Sequence, residues 1–441
     1  PVVKKKESPA YVAPVVKLKE SVMSLSDLTE SDYGVAYEQN NQIGVTELHK
    51  KGYDGYGVRI AVFDAGFKNI DRIPAFTKHQ AHQLLTFGFD IAELDNEINV
   101  SDNHGTSCAS CIGAYEKGKY IGSAPRAHFT LFRTEYGATE YPVEELNWCK
   151  AAELADSIGI DLISSSLGYN RYDDTALSYT HADLNGRTSY ISISAKKATE
   201  KGIVVVNSAG NEGKSSWRKI GTPADVPEVL TVGAVNIKGK IGSFSSHGYN
   251  ADGVVKPDIS ACGVLASVAS PSGGYYQGYG TSYATPIAAG GVACLMQAYP
   301  QLSPAEICAL IRSTSSYSAS PDSLYGYGIA QFDVAYQFQK SKIDEETTFD
   351  VLKTDTNLLV LFNKNGDAAT YKLYYTKSFG KLFNYKKRVQ KGKIDGKANL
   401  SRIEVASKDI DCSKKYTLKL KTKNAVRNES LTFSDLYLCN M

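Results

Sequence analysis

Two regimes of apolar patterning divide this chain. From Gly57 to about residue 342, short continuous apolar runs alternate with stretches whose apolar residues recur every three or four positions. The runs predict strands at 58–63, 128–133, 161–165, 203–207, 229–234 and 257–261. The recurring stretches predict helices at 104–115, 143–157, 189–201, 286–299 and 304–313. The last of these opens on Ser303-Pro304 with Glu306 following, a capping box with proline at the first helical position. Short apolar strands alternating with helices describe an α/β class: a mostly parallel, twisted sheet with helices on both faces.

The second regime begins near Thr347. Alternating runs at 357–362, 369–375 and 416–420 are split by Asn-Gly, Asp-Gly and lysine clusters, which predicts a small C-terminal antiparallel β-sandwich. Residues 1–40, with Lys4-Lys5-Lys6, Pro9 and Pro14, show no period and read as an N-terminal extension or the remnant of a pro-segment. The expected organisation is therefore 1–40, an α/β domain at 41–342 and the sandwich at 343–441. No internal repeat is evident.

Composition narrows the function. A chain of 441 residues with a hydrophobic fraction of 42% supports a large core and more than one domain. Lys and Arg number 49 against 47 Asp and Glu, and a net charge of +2 gives no reason to expect nucleic acid or an anionic membrane as partner. No apolar run reaches the length of about 18 residues that would span a membrane. Nor does the chain show a signal-peptide pattern. Of the eight cysteines, Cys108, Cys111 and Cys294 lie in apolar helices and read as small buried thiols; no second pair completes a zinc site. Cys412 and Cys439 flank one C-terminal segment, where a bridge and two free thiols are equally open.

Three polar residues stand out against the apolar frame. Asp64 ends the run Val58–Phe63, at the carboxyl end of a strand, where a parallel sheet collects its functional groups. His104 opens a small-residue helix and is followed by Gly105-Thr106, a tight turn plus a hydroxyl able to bond the backbone. Ser282, in Gly280-Thr-Ser-Tyr-Ala-Thr-Pro286, sits at the start of a second small-residue helix, where exposed N–H groups favour negative charge. Each alone also has a structural explanation, as a turn cap, a satisfied histidine or an N-cap.

Together they do not. The order Asp, His, Ser, with Val-Phe-Asp64-Ala-Gly, His104-Gly-Thr, Gly280-Thr-Ser282-Tyr-Ala-Thr-Pro and Asn207-Ser-Ala-Gly-Asn211-Glu-Gly213, resembles the subtilisin-like serine peptidases. The likeness spans about residues 41–340, and stops beyond residue 345. It implies an Asp64–His104–Ser282 triad, Asn211 as a donor to the oxyanion, and hydrolysis of protein or peptide substrates through an acyl-enzyme. The reaction needs no cofactor and no catalytic metal. A structural calcium ion is allowed by the likeness without assigned ligands. The family's inhibitory pro-segment is not recognisable in this chain, and family membership implies a secreted protein.

The likeness also implies a substrate site. Ser166-Leu167-Gly168 would pair with the substrate backbone. Ala209, Gly210 and Gly221 would enclose the side chain before the scissile bond, with Glu212 at the rim and Pro223, expected to be cis, in the wall. A floor of glycine leaves room for a large apolar group, so broad cleavage after such residues is expected. An insertion at 169–192 departs from the family pattern and brings Asp173, Asp174 and Asp183 of unassigned role. Two other readings stay open from the residues alone: a binding protein that has lost catalysis, and an acid-active relative.

Overall fold

The computed structural model describes residues 25, 27–95 and 97–343, and beyond them the backbone of seven strands between 349 and 432. The chain forms two compact units, Pro1–Ala335 and Tyr336–Met441, which places the division within the helix Phe332–Ile343.

The first unit is built on seven parallel strands: β1 (Arg59–Asp64), β2 (Leu85–Asp90), β3 (His128–Arg133), β4 (Leu162–Ser165), β5 (Val204–Ser208), β6 (Leu230–Val235) and β7 (Ile259–Cys262). Their order is β7-β6-β5-β4-β1-β3-β2, and every pairing is parallel. β1 therefore lies between β3 and β4, where the strand order reverses. Its carboxyl end opens on the crevice where α/β sheets bind ligands. Burial on both faces explains the unbroken apolar runs: Ile60 to Phe63 and Val204 to Val206 are all buried.

Six of these strands coincide with the predicted runs. β2 does not, because its sequence Leu-Thr-Phe-Gly-Phe-Asp is interrupted by Gly88 and its register against β3 shifts between Thr86 and Phe89. The helices that carry the site are α1 (His104–Gly113) and α4 (Thr281–Ala298). Between them in sequence lie α2 (Val143–Ser157) and α3 (Tyr190–Glu200). Helix α5 (Pro304–Thr314) carries the expected capping box between Ser303 and Glu306.

The start of α4 differs from expectation. The predicted stretch 286–299 opened on Pro286, yet the helix begins five residues earlier at Thr281, which agrees with the placing of Ser282 at a helix start and leaves Pro286 inside the helix. A proline cannot donate to the carbonyl four residues back, here that of Ser282. That carbonyl instead accepts from Ser166 Oγ at 2.8 Å and Cys108 Sγ at 3.3 Å, so the helix passes through the proline without an orphaned acceptor.

Residues 25–40, read above as part of an extension, pack into the first unit. Leu25, Leu28 and Tyr33 form one buried cluster with Leu84, Tyr115 and Ile121. The earlier part of the 1–40 segment lies outside the described residues, as do Cys412 and Cys439.

In the second unit, β10 (Phe349–Lys353), β11 (Asn357–Asn363) and β14 (Leu400–Ala406) form one antiparallel sheet, preceded in the first unit by a hairpin of β8 (Val264–Ala269) and β9 (Tyr275–Tyr279). β12 (Ala369–Phe379), β13 (Phe383–Ile394), β15 (Lys415–Thr422) and β16 (Val426–Thr432) form a second antiparallel sheet in the order β13-β12-β15-β16.

Candidate active site

Asp64, the last residue of β1, is fully buried. Its Oδ1 accepts from its neighbour Ala65 N–H at 2.8 Å and from His104 Nδ1 at 2.8 Å. A carboxylate only accepts, so this bond sets Nδ1 as the protonated nitrogen and leaves Nε2 as the basic one. No donor among the described residues reaches Asp64 Oδ2.

Three local bonds bring His104 to that aspartate. Its N–H donates to Asp102 Oδ1 at 2.8 Å, Gly105 N–H donates to the Gly66 carbonyl at 3.0 Å, and Thr106 Oγ1 donates to the Lys68 carbonyl at 2.9 Å. Gly105 is obligatory here: a Cβ would fall 2.6 Å from Gly66 O and 2.9 Å from Asp64 Cβ. The absence of a side chain is what lets the helix start close on the strand end.

The His104 ring is about one-third exposed. Burial is the largest single influence and works against its charge, but the Asp64 carboxylate and the neighbouring Cys108 sulfur together outweigh it, and the net pKa lies well above the ordinary 6.5. The Tyr283 ring lies 5.9 Å from it, centre to centre, and Cys108 Sγ sits 3.7 and 3.9 Å from its two nitrogens. Asp64, His104 and Cys108 thus bring a carboxylate, an imidazole and a thiol within 4.8 Å of one another, the only such group among the described residues. Its carboxylate and Nδ1 are already engaged with each other, and burial pushes the thiol upward in pKa.

Ser282 is the second residue of α4 and nearly buried. Its Oγ donates to the Ser166 carbonyl at 3.5 Å, and no hydrogen bond joins it to His104 in this structure. Contacts of this kind are often long in ligand-free sites and tighten once substrate is bound. The Ser282 N–H has no acceptor among the described residues, as expected in the first turn of a helix.

Asn211, in the exposed turn after β5, is held by one neighbour. Its Oδ1 accepts from both the N–H and the hydroxyl of Thr281, at 3.0 and 3.1 Å. With the carboxamide oxygen occupied, Nδ2 is left free as a donor. Thr281 Oγ1 also receives Gly210 N–H at 3.2 Å, so one hydroxyl ties the Asn211 turn to the Ser282 helix. Thr281 was not singled out from sequence, although it stood inside the motif that marked Ser282.

Ser166, Leu167 and Gly168 follow β4. Leu167 O accepts from Asn207 Nδ2 at 3.0 Å and Ser208 Oγ at 3.3 Å, which locks the segment against β5. Gly168 is exposed, and its N–H and C=O make no hydrogen bond among the described residues. Next to it, Tyr169 and Thr222 exchange two backbone bonds at 2.9 Å, and the Thr222–Pro223 peptide is cis. Gly221 therefore abuts the Tyr169 backbone: a Cβ there would lie 2.9 Å from Tyr169 O. Ala209, Trp217, Ile220, Ala224 and Leu184 form one buried cluster behind this wall. Glu212 is half-buried, with its N–H on Ser246 Oγ at 2.9 Å.

The insertion's acids are spent locally. Asp174 Oδ1 accepts from Ala176 N–H at 3.1 Å, Asp183 Oδ2 accepts from the Thr180 N–H and hydroxyl, and Asp173 Oδ2 accepts from Glu140 N–H at 3.3 Å. The fixed point of the insertion is instead Glu145 of α2, fully buried. It accepts from the hydroxyls of Tyr172 and Tyr179 and from Ile191 N–H at the start of α3.

Comparison with known proteins shows the family. The profile of the subtilase family matches residues 55–328. Subtilisin E of Bacillus subtilis (strain 168) is 30% identical over 314 residues, covering 69% of this chain and 71% of its own. Serine protease AprX of the same organism is 30% identical over 345 residues, covering 71% and 72% respectively. Among solved structures, MycP1 from Mycobacterium smegmatis superposes with a TM-score of 0.54 at 22% identity, over 70% of this chain and 86% of that one, a likeness of fold.

Proposed function

Because this chain belongs to the subtilase family, and is a subtilisin-like serine peptidase, we propose that Asp64, His104 and Ser282 are its triad and Asn211 its oxyanion donor. The observation that carries the assignment is the bond from His104 Nδ1 to the buried Asp64 Oδ1, at the carboxyl edge of the sheet. A serine hydroxyl is a weak nucleophile until a base takes its proton. In this reading Ser282 Oγ leaves the Ser166 carbonyl and turns to His104 Nε2. The imidazole accepts its proton as Oγ attacks the scissile carbonyl, and returns it to the departing amine. Asp64 holds the ring's tautomer and stabilises the imidazolium. A water then repeats the sequence to release the acyl group.

The oxyanion of each tetrahedral intermediate is received by Asn211 Nδ2 and the Ser282 N–H. Both are free donors, and both are held by Thr281 and the helix start, so they need no rearrangement when charge develops. Substrate is bound as an added strand on the free N–H and C=O of Gly168. The residue before the scissile bond enters between 166–168 and 209–210, over Gly221. Burying a Leu or Phe side chain gains about 1.5–3 kcal/mol, whereas a hydrated rim charge such as Glu212 offers about 0–1 kcal/mol. Large apolar residues are therefore preferred there. No cofactor enters this scheme, and we place the protein outside the cytoplasm, as for the family.

Digestion of a denatured protein, with the cut sites mapped by mass spectrometry, tests the specificity. Cuts after Phe, Tyr, Leu and Met, absent with Ser282→Ala, support this reading. Cuts mainly after Lys and Arg would contradict it.

A further inference from the structure

The net charge of +2 conceals an asymmetry. Residues 336–441 carry 21 Lys and Arg against 12 Asp and Glu, a net of +9, while residues 1–335 carry 28 against 35, a net of −7. A separation of this kind marks a unit that meets an anionic partner.

The register of the four-stranded sheet concentrates the charge further. Lys372 on β12 pairs with Lys391 on one side and Lys419 on the other, three lysines in a row across adjacent strands. Two residues along, Thr370 lies between Lys393 and Lys421. Because directly paired residues, and residues two apart, share a face, all of these occupy the same one. Lys386, Arg388 and Lys415 fall on it by the same register, through their pairings with Thr376, Tyr374 and Thr432. The face holds eight cationic residues and no acidic one. The opposite face is mixed: by the same register it carries Tyr371, Leu373, Tyr375, Leu418, Leu420 and Leu431 together with Lys377, Lys387, Arg427 and Glu429.

Stability alone does not select this arrangement. Like charges directly opposite one another destabilise a sheet, and lysine is among the residues least often buried in a core. We propose that this face docks on an anionic lipid surface and so holds the peptidase at a membrane. Strands stand about 4.8 Å apart, and alternate residues about 7 Å, so the eight cationic positions form a two-dimensional array over three twisted strands rather than a single row. A surface of anionic headgroups offers charge along both dimensions of this array, whereas a linear polyanion follows one row of it. Seven of the eight are lysines, which act as hydrated point charges and lack the fork that reads a phosphate bidentately. Tyr374 is the single aromatic on the face, too few to form a platform for stacked bases. The inference is independent of the triad assignment.

Sedimentation of the full chain with vesicles tests it. The protein is expected to bind phosphatidylcholine vesicles containing about one-third phosphatidylglycerol, to ignore pure phosphatidylcholine, and to dissociate at high salt. The triple variant Lys372→Gln, Lys391→Gln, Lys419→Gln should bind about 100-fold more weakly, at about 5-fold per lysine. It should keep its melting temperature, since it removes only like-charge pairs, and its activity on a small peptide. Charge reversal at the same positions should abolish binding. Equal binding by the triple Gln variant, no binding by the unaltered chain, or binding to heparin or duplex DNA without binding to the vesicles would each overturn the proposal.

Discussion

Thr281 holds Asn211 with two donors, its backbone N–H at 3.0 Å and its hydroxyl at 3.1 Å, both on the carboxamide oxygen. The bond settles which end of the amide is free. It also makes the residue before Ser282 responsible for the donor opposite it. Asn211→Ala is expected to lower kcat by about 10²–10³, the loss found for one such donor in a subtilisin, with KM little changed. Thr281→Val, which removes one of the two tethers, should lower kcat about tenfold, and Thr281→Ser should restore it. Steady-state hydrolysis of a peptide anilide measures both.

The pH dependence follows from His104. Its pKa lies well above the ordinary 6.5 because Asp64 and Cys108 together outweigh burial. The base must be neutral to act, so the acid limb of kcat/KM should fall above that value. In Asp64→Asn the largest opposition to burial is lost, and the limb should move to lower pH, with kcat greatly reduced. The same shift has a stability consequence. A raised pKa means the folded state binds the proton more tightly, so the contribution is complete below 6.5 and is lost as pH rises through the folded value. Melting curves of His104→Gln should lack that fall. A limb unmoved by Asp64→Asn would contradict the assignment.

Glu145 anchors the 169–192 insertion through two tyrosine hydroxyls and one backbone N–H. Glu145→Ala leaves two buried donors and one half-buried donor without an acceptor and should cost about 3 kcal/mol. Tyr172→Phe and Tyr179→Phe should each cost about 1 kcal/mol. Urea denaturation resolves these differences.

Gly221 was expected only to leave room in the pocket. Its contact with the Tyr169 backbone adds a second constraint: a Cβ at 2.9 Å from a carbonyl oxygen displaces main chain rather than a flexible side chain. Gly221→Val should therefore lower kcat/KM for every substrate, and more for Phe than for Ala before the scissile bond. Paired assays on the two peptides would show an unequal loss; a loss confined to Phe would mean that the wall yields.

Much of this was legible in the chain because buried parallel strands write themselves as unbroken apolar runs, and because the site residues sit in short fixed motifs. β2 escaped because Gly88 breaks its run. The predicted range of α4 began five residues late, although Ser282 was already read at a helix start, because Pro286 normally marks a first turn, and the bonds that replace its missing N–H come from Ser166 and Cys108, distant in sequence. Thr281 was invisible as a tether since its partner lies 70 positions away. The charge separation was present in the sequence, but summing over both units cancelled it.

The most direct measurement is covalent labelling of the folded chain with a fluorophosphonate, followed by peptide mapping. Such reagents react with a serine activated by a neighbouring base. The label should fall on Ser282 alone, disappear in Ser282→Ala, and slow greatly in His104→Gln. A label on another serine with Ser282 untouched, or peptide hydrolysis persisting in Ser282→Ala, would contradict the account.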